Sequence, residues 1–341
     1  MSGQTPPAPA FGDVAAEVVH FLSLSVPAAI GLTIAFLAIP EARGGVVSQN
    51  VRRLALPTAL AVAVWAAAQF VLSAAVSDLV VALLLAAGLV VLRTRASRPV
   101  AAAVTATAVV GAVIPLLPAT VGSLDSLARS VLTVVHVVAA TLWVGGLVVL
   151  GAAGMLGRRA RGEEAAAGRD WAQVWERFSV VALYAVGGLI ISGMWLAWTH
   201  VGTPAQLLTT AYGRYLAVKL VLVVALLGAG AYNMRVLMPR IRLARRDGDT
   251  RSVVRLTVEH FPVVVVAEAV VGVAILAVVP FLRGSARAEA GWPGAGPFDA
   301  TVFASGAALV ALVALALWAG TRQARFAPRG RGQYHSHGRV R

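Results

Sequence analysis

The chain has no cysteine among its 341 residues, which removes disulfides, thiolate metal sites and thiol catalysis together. It says nothing of the redox compartment, but any metal site must draw on His, Met, Asp or Glu. Charge is scarce too. Only 13% of residues are charged and 15 are acidic, against about a quarter charged in an ordinary soluble domain, so the usual solvated surface is missing. No Gly-x-x-x-x-Gly-Lys loop occurs, which argues against direct ATP hydrolysis. The Pro/Ala-rich stretch from Met1 to Glu17 lacks the basic residues a secretory signal carries before its apolar run, so the first apolar run is expected to stay in the protein.

What is abundant is oil: 59% of residues are hydrophobic and the mean hydropathy is +0.80. A hydrocarbon core of ~30 Å takes roughly 20 helical residues to cross, and apolar runs of about that length recur. Bounded by charge, Gly or Pro, they predict helices over 20–39, 55–76, 78–92, 100–117, 130–153, 178–199, 212–234, 261–281 and 301–319. The expected fold is an all-α polytopic transmembrane bundle of about nine spans. The third and fourth runs are short enough for poorly tilted or partly re-entrant helices, and a Gly/Pro-rich stretch from Gly291 to Pro297 sets the ninth apart. Along the chain this gives an extracytoplasmic segment over 1–19 and a four-helix half over 20–128. A second four-helix domain covers 129–282, an outer loop with the ninth helix 283–320, and a basic tail 321–341.

A formal charge of +14 would point to nucleic acid in a soluble protein. Here all but five of the 29 lysines and arginines fall in alternate short loops and the tail, which is a topology signal and leaves the lipid bilayer, not nucleic acid, as the partner. The five exceptions are Arg129, Arg214, Lys219, Arg283 and Arg287. The rule that basic loops stay inside then places the N-terminus outside and the C-terminus in the cytoplasm. The first run, with His20 and Gly31, weakly echoes the fifth, with His136 and Gly145-Gly146, as a parallel repeat of four plus four helices would.

Ionisable groups inside a span cost roughly 2.5–3.5 kcal/mol on insertion scales, so each is a functional candidate. His136, Lys219 and Glu268 stand out, with His20 at a helix edge. His136 lies seven residues in from Arg129 and Lys219 seven in from Tyr212, which puts both ~10 Å below one surface. Met194 has a similar depth, and Glu268 lies nearer the middle. His136 and Trp143 share a helix face, as do Tyr212, Tyr215 and Lys219, while Tyr184, Gly188, Ile191, Trp195 and Trp198 form a stripe on the sixth helix. The bland readings are equally physical: a transmembrane His packs against a hydrogen-bond partner, and a Lys near a helix end snorkels. Trp195, Trp198 and His200 suit an interfacial belt. Five methionines are too few for a Met-rich metal patch, and His335 with His337 read as a solvated end.

These residues carry a resemblance. His136-x-x-Ala139-Ala140-x-x-Trp143-x-Gly145-Gly146 is followed by Arg177-Phe178-Ser179 and by Ser192-Gly193. Then come Thr210-x-Tyr212-Gly213-x-x-Leu216-x-x-Lys219, Asn233 and Glu268. In that order and at helix-length spacing they resemble the CopD copper-resistance and copper-uptake membrane proteins over residues 129–282. The resemblance implies copper handling across the bacterial cytoplasmic membrane, beside a periplasmic copper-binding partner. The chain departs from the longer members in having short outer loops without a His/Met-rich domain, and in its extra helix and basic tail.

Two functional classes follow from the candidates. In a transporter, His136, Met194 and His20 would offer soft or borderline ligands to a copper ion, within an intramembrane polar site of Lys219, Glu268, Trp143, Tyr212 and Asn233. A charged Lys219 would repel the cation unless Glu268 pairs with it. In a redox protein, His136 would be an axial ligand of haem b; a His and a Lys at equal depth also resemble the membrane-bound protoporphyrinogen oxidase family. A ligand-free assembly subunit is a third reading. The charge asymmetry makes a direct prediction: cysteine introduced at Ser97 or Gly248 will resist an impermeant thiol reagent in intact cells, and ready labelling at either would reverse the topology.

Overall fold

A computed structural model describes residues 7–38, 45–117, 123–159, 164–296, 301, 304–313 and 315. Eight of its helices are long and apolar enough to cross a membrane. They are α1 (Phe11–Leu37), α2 (Val46–Ser73), α3 (Val76–Thr94), α4 (Arg98–Leu116), α5 (Leu124–Arg158), α6 (Ala167–His200), α7 (Ala211–Arg246) and α8 (Thr250–Phe281). The described residues contain no strand. Of the expected ninth span, residues 301, 304–313 and 315 are described, with the helix Ala304–Val313 among them; the rest of that span and the basic tail lie outside the described residues.

Several helices run past the apolar runs that announced them, because amphipathic ends continue the backbone hydrogen bonding beyond the oily stretch. α1 begins nine residues before the expected start, and α5 extends beyond both predicted limits. The third and fourth runs are not a re-entrant pair. Each is a 19-residue helix, ~28 Å long, and long enough to cross.

Polar side chains tie the helix ends. The Arg52 guanidinium on α2 donates to the terminal carbonyls of α3, Leu92 and Arg93, at 2.9 Å each. Arg177 on α6 donates to Leu37 O at the end of α1, at 3.2 Å. Arg242 on α7 meets Glu176 on α6 at 2.8 Å. Cations placed on carbonyls without intrahelical partners suit both the hydrogen-bond deficit and the helix dipole. Asp249 caps α8 by accepting from Ser252 N at 3.1 Å, and hydrogen bonds from Ser252 hold its carboxyl below the usual aspartate range. Beside this end, Trp171, Trp175 and Phe261 stack with centroids 4.9 and 4.4 Å apart, and Trp175 Nε1 donates to Thr257 O. Arg52, Arg177 and Arg242 therefore mark one arginine-rich end of the bundle. The opposite end is joined by Arg283 on Glu17 at 3.0 Å and Arg287 on Trp198 O at 3.3 Å.

At the centre α1 packs on α4 and α5, and α5 in turn on α6 and α8. Small residues make this possible, since lipid offers no hydrophobic drive between helices and close backbone approach must supply the attraction. Gly145 of α5 lies directly against the Ser25 carbonyl of α1, and Gly146 against the Phe178 ring of α6. A side chain at Gly145 would have to push backbone aside. Gly145→Leu is therefore expected to destabilise the detergent-solubilised protein by about 1–3 kcal/mol, read as a lower melting temperature. Gly228→Leu, which has nothing within 4 Å to meet, should melt like the parent; equal melting of both variants would contradict this packing.

Candidate functional site

His136 lies on α5 where that helix faces α6. Its Nδ1 is 3.0 Å from Ser192 Oγ, and Gly193 lies beside the ring, where an added Cβ would sit 3.7 Å from its Cε1 in ordinary contact. The Ser192 hydroxyl is itself 2.6 Å from the Gly188 carbonyl one turn back. A carbonyl only accepts, so that contact takes the serine's one proton, and Ser192 Oγ must accept from His136 Nδ1–H. In the neutral imidazole the lone pair then sits on Nε2. Ser192 is fully buried and plays the orienting part that a second partner plays for a ligating histidine.

The face of α6 that meets α5 carries Gly188 and Ser192, with Gly188 against Val135 and Ala139. Tyr184, expected on the same stripe, is 66% exposed, because the stripe drawn from the aromatic residues is rotated from the one that packs. Lys219 lies on α7, seven residues in from Tyr212. Among the described residues it forms no ion pair. α7 packs chiefly on α8.

Glu268 stands elsewhere. It is 6% exposed and accepts 2.7 Å from Asn233 Nδ2, its partner in place of the expected Lys219. Asn233 opens a widened π turn, Asn233–Leu237, a feature that recurs at functional positions in helices. Lys219 and Asn233 are 14 residues apart on α7, ~21 Å along the axis. The polar residues thus form two levels, His136–Ser192–Lys219 toward the arginine-poor end and Asn233–Glu268 toward the arginine-rich end, and not one cluster.

The remaining candidates separate as well. His20 lines a small cavity of about 30 Å³ with Ser23, Trp65, Gln69 and Asp78, all within α1–α4 and away from α5. Met194, although adjacent to Gly193, is 56% exposed and turns from His136. Trp143 is buried in the core, two turns deeper than His136. Tyr212 starts α7, where Glu289 accepts from its backbone N–H at 3.2 Å and its ring stacks on His200, 5.7 Å apart and 6° from parallel. Among the described residues no three of His, Asp and Glu come together. Sequence reasoning missed two parts of the geometry: the Ser192 hydroxyl as the partner of His136, which had entered only as part of a motif, and Glu289 as an acceptor at the start of α7 beside its N-cap Thr210.

The inner pair makes a testable unit. Asn233→Leu leaves the Glu268 carboxyl buried without its donor and should cost about 1–3 kcal/mol of stability. Adding Glu268→Leu removes the stranded group and should recover most of that loss. A double variant whose melting drop equals the sum of the two single drops would show the pair to be uncoupled.

No curated protein and no solved structure matches the chain. A family model does, over residues 172–282, and its description is copper resistance protein D, CopD. The matched stretch opens in α6 and closes at the end of α8, so His136 and its motif lie outside it. Over that stretch, which holds Ser192, Lys219, Asn233 and Glu268, the chain is similar to the CopD family.

Proposed function

We propose that this multi-pass, copper-resistance-related membrane protein moves copper ions across the bacterial cytoplasmic membrane, with His136 as the ligand that receives them. The observation that carries this is the His136–Ser192–Gly188 chain. It fixes the imidazole with Nδ1–H spent on Ser192 and the Nε2 lone pair left for a borderline or soft cation. A copper ion is cargo here, and one imidazole at this level would hold it loosely enough to release it, as conduction requires. The arginine-poor end would face the periplasm, where a copper-binding protein would deliver the ion. Asn233 and Glu268, deeper along α7 and α8, would give the ion or a counter-moving proton an oxygen ligand on its way in.

Lys219 bears on the mechanism through its charge. When protonated, an ammonium at this level would raise the energy of a cation resting at His136 and so favour onward passage over storage. Removing it by Lys219→Met would deepen the resting site.

The test is copper binding by the detergent-purified full chain beside His136→Ala. The substitution is expected to weaken Cu(I) retention by at least about tenfold, which is 1.4 kcal/mol, and Lys219→Met to strengthen it. Unchanged retention in His136→Ala would remove His136 from the path. A Soret band in the purified parent that vanishes in His136→Ala would instead make the site an axial haem position.

A further inference from the structure

The polar level at His136 has a second level directly above it. Arg129 precedes His136 by seven residues on α5, and Tyr212 precedes Lys219 by seven on α7. On α6, which runs the other way, Thr199 and His200 follow Ser192 by seven and eight. Seven residues are two turns, so Arg129, Tyr212 and Thr199 lie over their lower partners on the same helix face, with His200 one position further on, ~10 Å nearer the arginine-poor end. At the upper level Arg129, Thr199 and His200 line a polar cleft of about 350 Å³, completed by Ser285, Ala288 and Gly294 beyond α8.

His200 is held there as firmly as His136 is below. Its Nδ1 lies 2.7 Å from the Leu196 carbonyl and must donate to it, since a carbonyl has no proton to give. Thr199 Oγ1 donates to the same carbonyl at 2.9 Å. The ring is stacked on Tyr212, whose helix start is fixed by Glu289. In the neutral ring the Nε2 lone pair is again the free one. The two histidines thus share one tautomer, each set by an α6 oxygen.

The arginines around the cleft are held by other groups. Arg129 pairs with Asp125 at 3.3 Å, Arg283 with Glu17 at 3.0 Å, and Arg287 donates to Trp198 O and Pro293 O. Carboxylates offset the charge of Arg129 and Arg283, Arg287 keeps its charge while its Nη1 and Nη2 groups are held on carbonyls, and the imidazole is the soft donor that lines this level.

We infer that His200 is a capture ligand: a soft or borderline transition-metal cation entering the cleft binds His200 Nε2 first and passes down the α5–α6 seam to His136. This rests on the copper reading of His136 above and adds a kinetic step to it. The step exchanges one neutral nitrogen ligand for another, so no proton or electron is gained or lost.

The experiment loads the full chain in detergent with Cu(I) from a chromogenic chelator and follows loss of the chelate colour by stopped flow, with equilibrium retention measured separately. His200→Ala is expected to slow loading by about tenfold while retention stays within about twofold. His200→Met, which restores a soft ligand but neither the hydrogen bond nor the ring stack, should regain most of the rate. Loading at the parent rate in His200→Ala would overturn the inference, as would equal slowing in His200→Ala and His200→Met, which would make His200 a packing residue. Unchanged retention in His136→Ala would instead overturn the copper reading beneath it, so the two failures are distinguishable.

Discussion

Inside hydrocarbon there is no water to answer a polar group, so a hydrogen-bonding atom kept there is costly unless the protein supplies its partner. The rest of this structure follows from how that demand is met. The backbone meets it by forming helices, and the helices meet it at their ends with arginine on carbonyl, as Arg52 does for α3 and Arg177 for α1. The side chains inside the spans meet it pairwise: His136 with Ser192, Ser192 with Gly188, Asn233 with Glu268. Satisfaction of one atom of His136 is what leaves the other atom defined and available.

The same demand explains why the site sits where α5 meets α6. Glycines let α6 come close to α5 here, Gly188 beside Val135 and Ala139 and Gly193 beside the His136 ring. Glycine at these positions is thus both the means of close approach and the wall of the site. On the other side of α5, Gly145 locks the helix against α1, so the residue that carries His136 is held on two faces. A ligand on a rigid element is positioned more sharply than one on a loop.

Much of the fold was legible in the sequence, because apolar runs bounded by arginine announce spans directly. Their ends were less so: α1 and α5 continue through residues whose mixed polarity hides helical continuity, and two short runs proved to be whole spans. At the site, depth was readable. Arg129 and Tyr212 mark a common level from which His136 and Lys219 are equally far, since helical rise is fixed. Partners were not readable. Glu268 looked matched to Lys219 by charge, yet its carboxyl is met by Asn233, because two helices leaning on each other bring together residues that no spacing rule relates. His200 looked like an interfacial residue, and only the shared register of three helices sets it above His136.

The account rests on copper meeting the Nε2 of His136 within the membrane. X-ray absorption at the copper edge of the loaded full chain tests this most directly, because imidazole gives outer-shell scattering that carboxylate, thioether and water do not. The account predicts that this scattering is present in the parent and reduced in His136→Ala, with Ser192→Ala keeping it in a more disordered form. A parent spectrum without imidazole scattering, or one unchanged in His136→Ala and His200→Ala alike, would contradict it.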